Sequence, residues 1–194
     1  MNITSSKPQV SAIILAGGQG QRMNGKNKGL QTFKGSKLIN HVIDRISPQV
    51  NEILISANKN VEEYEALGYT TYRDEQWSDC GPIGGILTTA HHAANDYLLI
   101  VACDQPFLPP DLVEKLYTAL GNNKLAVAAD ATGIQNLNIL MHKSLLPSMQ
   151  QQLVKKHRSM HAWLTLHPHS EVFFHSKNND FANINTLDDL TRYA

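Results

Sequence analysis

The chain has 194 residues, of which 42% are hydrophobic and 18% charged, and its 17 basic side chains balance 17 acidic ones. This size predicts one globular domain, residues 1–194. The absence of net charge excludes attachment to nucleic acid or to a membrane by bulk charge alone. Cys80 and Cys103 are too few for a disulfide framework, and no apolar run is long enough to span a membrane. We therefore expect a cytoplasmic protein, and we expect a monomer.

Short apolar runs alternate with helical patterns along the chain, which is typical of βαβ units and a mainly parallel sheet. Strands are predicted at 11–16, 52–57, 69–72, 97–103, 125–129, 137–141 and 171–174. Helices are predicted after an N-cap at Ser36, at 60–67, from Gly81 to about His92, from Pro109 to before Gly121, and within 144–168. The pattern from Thr186 to Asp189 resembles a capping box for a last short helix.

The loop after the first strand, LAGGQGQRMNGKNKGL from Leu15 to Leu30, combines glycines with basic side chains. Glycine lets successive main-chain amides approach one anion closely. The basic side chains of Arg22, Lys26 and Lys28 add positive charge. The loop therefore suits a polyphosphate, although a plain turn between strand and helix stays possible.

Three glycine motifs compete for this loop. The dinucleotide fingerprint fails because Met23 occupies its third glycine position. The Walker loop fails at its last position, because Asn27 replaces the hydroxyl residue that should bind Mg²⁺. A longer loop that closes over a nucleoside triphosphate fits without a missing residue.

Polar residues follow several predicted strands, at the edge where open α/β sheets bind ligands. Asp104 follows the apolar strand YLLIVAC and is suited to Mg²⁺, or alternatively to capping a turn. Asp74 can accept hydrogen bonds from a guanine edge, or it is a solvated turn residue. Gly81 to Gly85 place a helix N-terminus in the same region. Asn183 and Asn185 alternate in an extended segment, so both amides can face one ligand.

Histidines and hydroxyl residues form no convincing catalytic pattern. His157 and His161 have helical spacing, but they lie beside the basic run from Lys155 to Arg158 and lack the sequence of a zinc motif. A solvated basic face explains them better.

Four segments in order, LAGGQGQRM…K, RDEQWSDCGPIGG, VACDQP and FANINT, resemble the molybdenum cofactor guanylyltransferase family. The match runs through nearly the whole chain, whereas the LAGG loop alone indicates only the wider nucleotidyltransferase group. The resemblance implies an α/β fold, namely a Rossmann-like three-layer α/β/α nucleotidyltransferase domain with a mainly parallel sheet.

The resemblance also implies roles for individual residues. The catalytic residues would be Lys28, Arg22 and Asp104, with Asp104 as the ligand of Mg²⁺. Asp74 would read guanine, and GTP would further contact Leu15, Ala16, Gly17, Gly25, Lys28, Asn58 and Asp104. The pterin substrate would face Gly81, Gly85, Arg158, Asn183 and Asn185. The chain departs from the family pattern at Asn24, Asn27 and Ser56, where the family has glycine, aspartate and asparagine.

The implied reaction transfers GMP from GTP to the terminal phosphate of molybdopterin carrying molybdenum, and pyrophosphate leaves. This phosphate nucleophile is anionic near neutral pH, so a general base is not required. Proteins that deliver the cofactor, or molybdoenzymes that accept it, are the expected protein partners. Two alternatives stay open: a cytidylyl or sugar-phosphate nucleotidyltransferase, and a non-catalytic paralogue that binds a nucleotide or the cofactor.

Overall fold

The computed structural model describes residues 8–17, 27–175 and 179–193. The strands of the main sheet are β1 (Val10–Leu15), β4 (Glu52–Ser56), β5 (Thr71–Tyr72), β6 (Tyr97–Ala102), β7 (Leu125–Asp130), β8 (Gly133–His142) and β9 (Ser170–Phe173). Within the described segments these seven strands are ordered β5–β4–β1–β6–β8–β7–β9. Neighbouring strands pair in parallel except at β8, which is antiparallel to β6 and β7. The predicted mainly parallel α/β sheet is confirmed.

Helices cover both faces of this sheet. They are α1 (Leu38–Ile46), α2 (Val61–Glu65), α3 (Pro82–Ala90), α4 (Leu112–Leu120), α5 (Leu146–Val154), α6 (Met160–Leu164) and α7 (Leu187–Arg192). Apolar residues of α1, α2 and α4 pack in one cluster, and those of α3, α5 and α6 pack in another. Strand β6 contributes Leu99 and Val101 to the first cluster and Leu98 and Ile100 to the second. The three-layer arrangement is therefore built around a strand buried on both faces, as its unbroken apolar sequence predicts.

The start of α1 differs from the prediction. Ser36 is not the N-cap, because it pairs with Phe33 in a small hairpin of β2 (Thr32–Phe33) and β3 (Ser36–Lys37). Lys37 is the N-cap residue and makes no side-chain cap. The Ser36 hydroxyl instead accepts a hydrogen bond from Asn40 (2.8 Å). The apolar face of the helix is confirmed, with buried residues Leu38, Ile39, Val42, Ile43 and Ile46.

The parallel strands β4, β1 and β6 end at one edge of the sheet. Their registers align Leu15 with both Ser56 and Ala102, so the loops that follow all three strands begin side by side. Both cysteines are free thiols. Among the helices of the described segments, none has the length and apolar character needed to cross a membrane. The carboxyl edge of these three strands is where the cleft described next is located.

Candidate active site

A cleft of about 470 Å³ lies at the carboxyl edge of β1, β4 and β6. It is lined by residues from the strand ends, from the loops that follow them and from the segment before α7. The lining includes most of the residues that the sequence assigns to the substrates: Leu15, Ala16, Gly17, Lys28, Asn58, Asp74, Gly81, Gly85, Asp104, Asn183 and Asn185. Strand order and the C-terminal segment together bring residues that are up to 170 positions apart in sequence to one cleft.

Lys28, Asp104 and Asn185 converge at one end of the cleft. The Lys28 ammonium lies 3.3 Å from Oδ2 of Asp104 and donates a hydrogen bond to Oδ1 of Asn185 (2.5 Å). The two charged side chains are only 23% and 13% exposed. Burial raises the pKa of Asp104 above its ordinary value, and the neighbouring Lys28 ammonium opposes that rise. A charge kept in surroundings that disfavour it is typical of a functional site.

The C-terminal segment is attached to the Asp104 loop by hydrogen bonds. The main-chain N–H of Ile184 donates to the carbonyl of Asp104 (2.8 Å). The side chain of Gln105 donates to the carbonyl of Phe181 (3.2 Å) and accepts from the Asn138 amide (3.0 Å). Gln105 and Asn138 are both buried. These contacts place Asn185 beside Lys28 although 157 positions separate the two residues.

The predicted capping box of α7 is confirmed and orients Asn185. Asp189 Oδ2 accepts hydrogen bonds from the N–H groups of Asn185 and Thr186 (2.9 Å each), and the Asp189 N–H donates to the Thr186 hydroxyl (3.1 Å). The hydrogen bond from the Asn185 N–H, followed by those of Thr186, lowers the pKa of Asp189 below 3.8. The carboxylate form of Asp189 is therefore the form that holds this turn.

We expect Asp189→Ala to destabilise the protein by about 1 kcal/mol near pH 6, the usual cost of losing a helix cap. Because the pKa of Asp189 is lower in the folded than in the unfolded state, its contribution is fully present well above the unfolded-state pKa and is lost as pH falls through the lowered folded-state pKa. Urea unfolding between pH 6 and pH 3 measures the difference. Asp188→Ala, in the same helical turn, is the control; equal losses for both variants would contradict the capping role.

At the other end of the cleft, Asp74 fixes the loop that follows β5. Its Oδ1 accepts hydrogen bonds from the Trp77 N–H (2.8 Å) and from the Thr88 hydroxyl (3.0 Å). The side-chain amide oxygen Oδ1 of Asn58 accepts a hydrogen bond from the Asp74 N–H (2.9 Å). Asp74 is buried. Oδ1 of Asp74 thus holds the loop, while Oδ2 lies against Gly84 of α3, and the contact of Asp74 with guanine stays a prediction.

Two glycines of α3 allow the helix to approach these residues closely. A Cβ atom on Gly84 would lie 2.5 Å from Asp74 Oδ2, and one on Gly85 would lie 2.5 Å from Ser56 Oγ. Real Cβ atoms do not make contacts this short, so a larger residue at position 84 would press on the loop after β5, and one at position 85 would press on Ser56 of β4. The helix begins after Gly81, whose φ of +68° favours glycine.

Comparison with known proteins identifies the family. Residues 12–172 match the model of the MobA-like NTP transferase domain. A protein of Shewanella sp. (strain MR-4) named molybdenum cofactor guanylyltransferase is 42% identical over 188 residues, which cover 96% of this chain and 95% of that protein. The chain belongs to the molybdenum cofactor guanylyltransferase family. It is a nucleotidyltransferase, and the resemblance drawn from its motifs is confirmed.

Solved structures show the same fold as this guanylyltransferase family member. Molybdopterin-guanine dinucleotide biosynthesis protein A from Archaeoglobus fulgidus has a TM-score of 0.73 at 23% identity, covering 94% of this chain and 96% of that one. Rv0371c from Mycobacterium tuberculosis, solved in complex with manganese, has a TM-score of 0.71 at 14% identity, covering 95% and 97%. The Rossmann-like three-layer fold is confirmed.

Among the described residues assigned from the guanylyltransferase resemblance, Arg158 is the one that is not in the cleft lining. Arg22, Asn24 and Gly25 lie outside the described residues. Arg158 is exposed and is not a lining residue; its guanidinium donates to the carbonyl of Asp79 (2.8 Å), which does line the cleft. Arg158 therefore supports the loop at the cleft mouth, and its contact with a pterin stays a prediction.

The donors near Lys28 fit a magnesium ion that arrives with a nucleotide. Among the described residues, no group of three His, Cys, Asp or Glu side chains could hold a metal ion by itself. Mg²⁺ bound to phosphates needs only one or two protein carboxylates. The Asp104 carboxylate and the Asn185 amide oxygen are suitable hard donors, and both already contact one cation, the Lys28 ammonium.

The sequence gives little sign of the residues that hold this guanylyltransferase site together. Gln105 and Asn138 were not singled out, although Asn138 interrupts an otherwise apolar stretch of β8 and a buried amide there needs a partner. Tyr64, on the short helix α2, was also missed. It is a fully buried aromatic residue whose hydroxyl reaches Asn27 (2.5 Å), and no sequence pattern indicates that contact.

Proposed function

We propose that this protein transfers GMP from GTP to the terminal phosphate of molybdopterin carrying molybdenum, producing molybdopterin guanine dinucleotide and pyrophosphate. The observation that carries the proposal is the convergence of Lys28, Asp104 and Asn185 in the cleft at the carboxyl edge of the sheet. Lys28 belongs to the family's glycine-rich loop, and the relatives that match over nearly the whole length carry the corresponding name.

GTP enters with its guanine toward Asp74 and Asn58 and its phosphates toward Lys28. The Asp74 carboxylate would accept a hydrogen bond from the ring N–H or the amino group of guanine, whereas cytosine offers a different pattern of donors and acceptors. Ala16 and Gly17, which directly follow β1, also line the cleft. The nucleotide therefore lies along the strand ends, as ligands do in open α/β sheets.

Catalysis consists of alignment and charge compensation. The attacking phosphate of molybdopterin is already anionic, so the site needs no proton acceptor for it. The Lys28 ammonium offsets negative charge that develops on the leaving pyrophosphate, and Asn183 and Asn185 offer amide groups to the acceptor. Asp104 and Asn185 would hold Mg²⁺, which supplies further positive charge to the phosphate oxygens when it is bound.

Nucleotide selectivity tests the proposal without the pterin substrate. We expect isothermal titration calorimetry in the presence of Mg²⁺ to show binding of GTP and at least tenfold weaker binding of CTP. Asp74→Asn replaces a carboxylate oxygen with an amide donor and should reduce that preference. CTP binding as tight as GTP binding would contradict the guanylyl assignment and favour a cytidylyltransferase.

A further inference from the structure

Asn27, the residue before Lys28, links the lysine to a different part of the fold. It is the N-cap residue of the short 3₁₀ turn Lys28–Leu30, yet its side chain makes no cap. Its Oδ1 accepts a hydrogen bond from the Tyr64 hydroxyl (2.5 Å), and its Nδ2 donates to the carbonyl of Lys59 (3.5 Å). The amide therefore connects the turn that carries Lys28 to α2 and to the loop before it.

Tyr64 is a rigid anchor for this connection. Its ring is fully buried in the apolar cluster that includes α1 and α4. Burial, together with the nearby Cys103, raises the pKa of Tyr64 well above its ordinary value of 10, so the hydroxyl stays neutral and donates. A buried hydroxyl without a partner is costly, and Asn27 supplies the acceptor.

Gly29, the residue after Lys28, packs closely against the same tyrosine. A Cβ atom on Gly29 would lie 2.6 Å from the Tyr64 hydroxyl oxygen and 3.1 Å from the Cys103 sulfur. The main chain at residue 29 thus passes between α2 and the end of β6. Cys103 directly precedes Asp104, so the contact that confines Gly29 also keeps the turn that carries Lys28 next to the segment that carries Asp104.

We propose that Tyr64 and Asn27 are positioning residues, and that their hydrogen bond holds the Lys28 ammonium where it meets Asp104 and the phosphates of the nucleotide. This inference rests on the proposed function, because that function gives Lys28 its role toward GTP. Asn27 stands where the family pattern has aspartate. An aspartate would accept the same hydrogen bond from Tyr64, but it could not donate to Lys59.

The first test measures how accessible the Lys28 side chain is, and it does not depend on enzyme activity. Brief acetylation by limiting N-hydroxysuccinimide acetate, followed by peptide mass spectrometry, measures how accessible each lysine is. We expect Lys28 to react several-fold faster in Tyr64→Phe and in Asn27→Ala, because the ammonium spends less time held by Asp104 and Asn185. Asn27→Asp keeps the acceptor for the Tyr64 hydroxyl, so Lys28 in this variant should react no faster than in the wild type. Tyr117→Phe, a change on α4 outside the cleft lining, is the matched control.

The second test is kinetic and uses the double variant. We expect Tyr64→Phe and Asn27→Ala each to lower kcat for GMP transfer roughly tenfold with an unchanged KM for the pterin acceptor. The variant Asn27→Asp should keep most of the wild-type kcat, because its carboxylate still accepts the hydrogen bond from Tyr64. Tyr64→Phe/Asn27→Ala should be no worse than Asn27→Ala, because one shared contact is removed only once.

The outcomes separate the two proposals. Wild-type Lys28 reactivity in both single variants, or multiplicative losses of kcat in the double variant, would overturn the positioning role. A wild-type protein that transfers no GMP, but still shows the expected pattern of Lys28 reactivity, would overturn the proposed function and leave the positioning contact standing.

Discussion

Asp104→Asn is expected to lower kcat for GMP transfer by about 10³-fold while the protein stays folded. The asparagine keeps the size of the side chain but removes the charge that faces Lys28 and that would bind Mg²⁺. Because burial already disfavours the carboxylate, its removal costs little stability. We expect Tm to change by no more than about 4 °C, which corresponds to ~1 kcal/mol for a chain of this size. Pyrophosphate release and thermal unfolding measure the two effects.

Asp111→Asn is the matched control for this variant. Asp111 also pairs with a lysine, Lys115 (2.8 Å), but both side chains are exposed at the start of α4. Asp111 does not line the cleft, so Asp111→Asn should keep wild-type kcat, and because exposed pairs contribute little it should also keep wild-type stability. Turnover by Asp104→Asn within tenfold of wild type would remove the basis for the metal-binding role of Asp104.

Lys28→Met is expected to lower kcat/KM for GTP by about 10²-fold to 10³-fold. Methionine keeps the length of the side chain and removes the ammonium that offsets phosphate charge. The variant also leaves the Asp104 carboxylate without its cation in a mostly buried position. We therefore expect a loss of stability of about 1–3 kcal/mol, the usual cost of an unpaired buried acceptor.

The double variant Lys28→Met/Asp104→Asn separates stability from function. It removes both charges, so we expect the free energy of unfolding to return toward wild type while turnover stays absent. Lys115→Met, which breaks the exposed pair with Asp111, should change neither property measurably. Recovery of turnover in the double variant would mean that the pair serves stability alone.

The sequence predicts the framework of the site because local pattern and strand order determine it. The apolar run before Asp104 requires a strand buried on both faces, and parallel strands deliver Asp104, Asn58 and Gly17 to one edge. The capping box at Thr186 is equally local. These features depend on residues close together in the chain, so periodicity and turn chemistry are enough to find them.

The contacts that complete the site depend on residues far apart in the chain, and sequence spacing carries no signal for them. Nothing in the pattern around Lys28 indicates that Asn185 will accept its hydrogen bond, or that Tyr64 will hold Asn27. The N-cap prediction at Ser36 was wrong for a related reason. Pairing of Ser36 with Phe33 in the hairpin overrides the local preference of serine for a cap.

The most direct test of the central claim is formation of the dinucleotide. The purified protein is incubated with Mg²⁺, molybdopterin carrying molybdenum, and GTP labelled at the α-phosphorus. We expect the label to appear in molybdopterin guanine dinucleotide, with one pyrophosphate released for each molecule formed. Bound GTP without pyrophosphate release, or a dinucleotide formed from CTP in preference to GTP, would contradict the account.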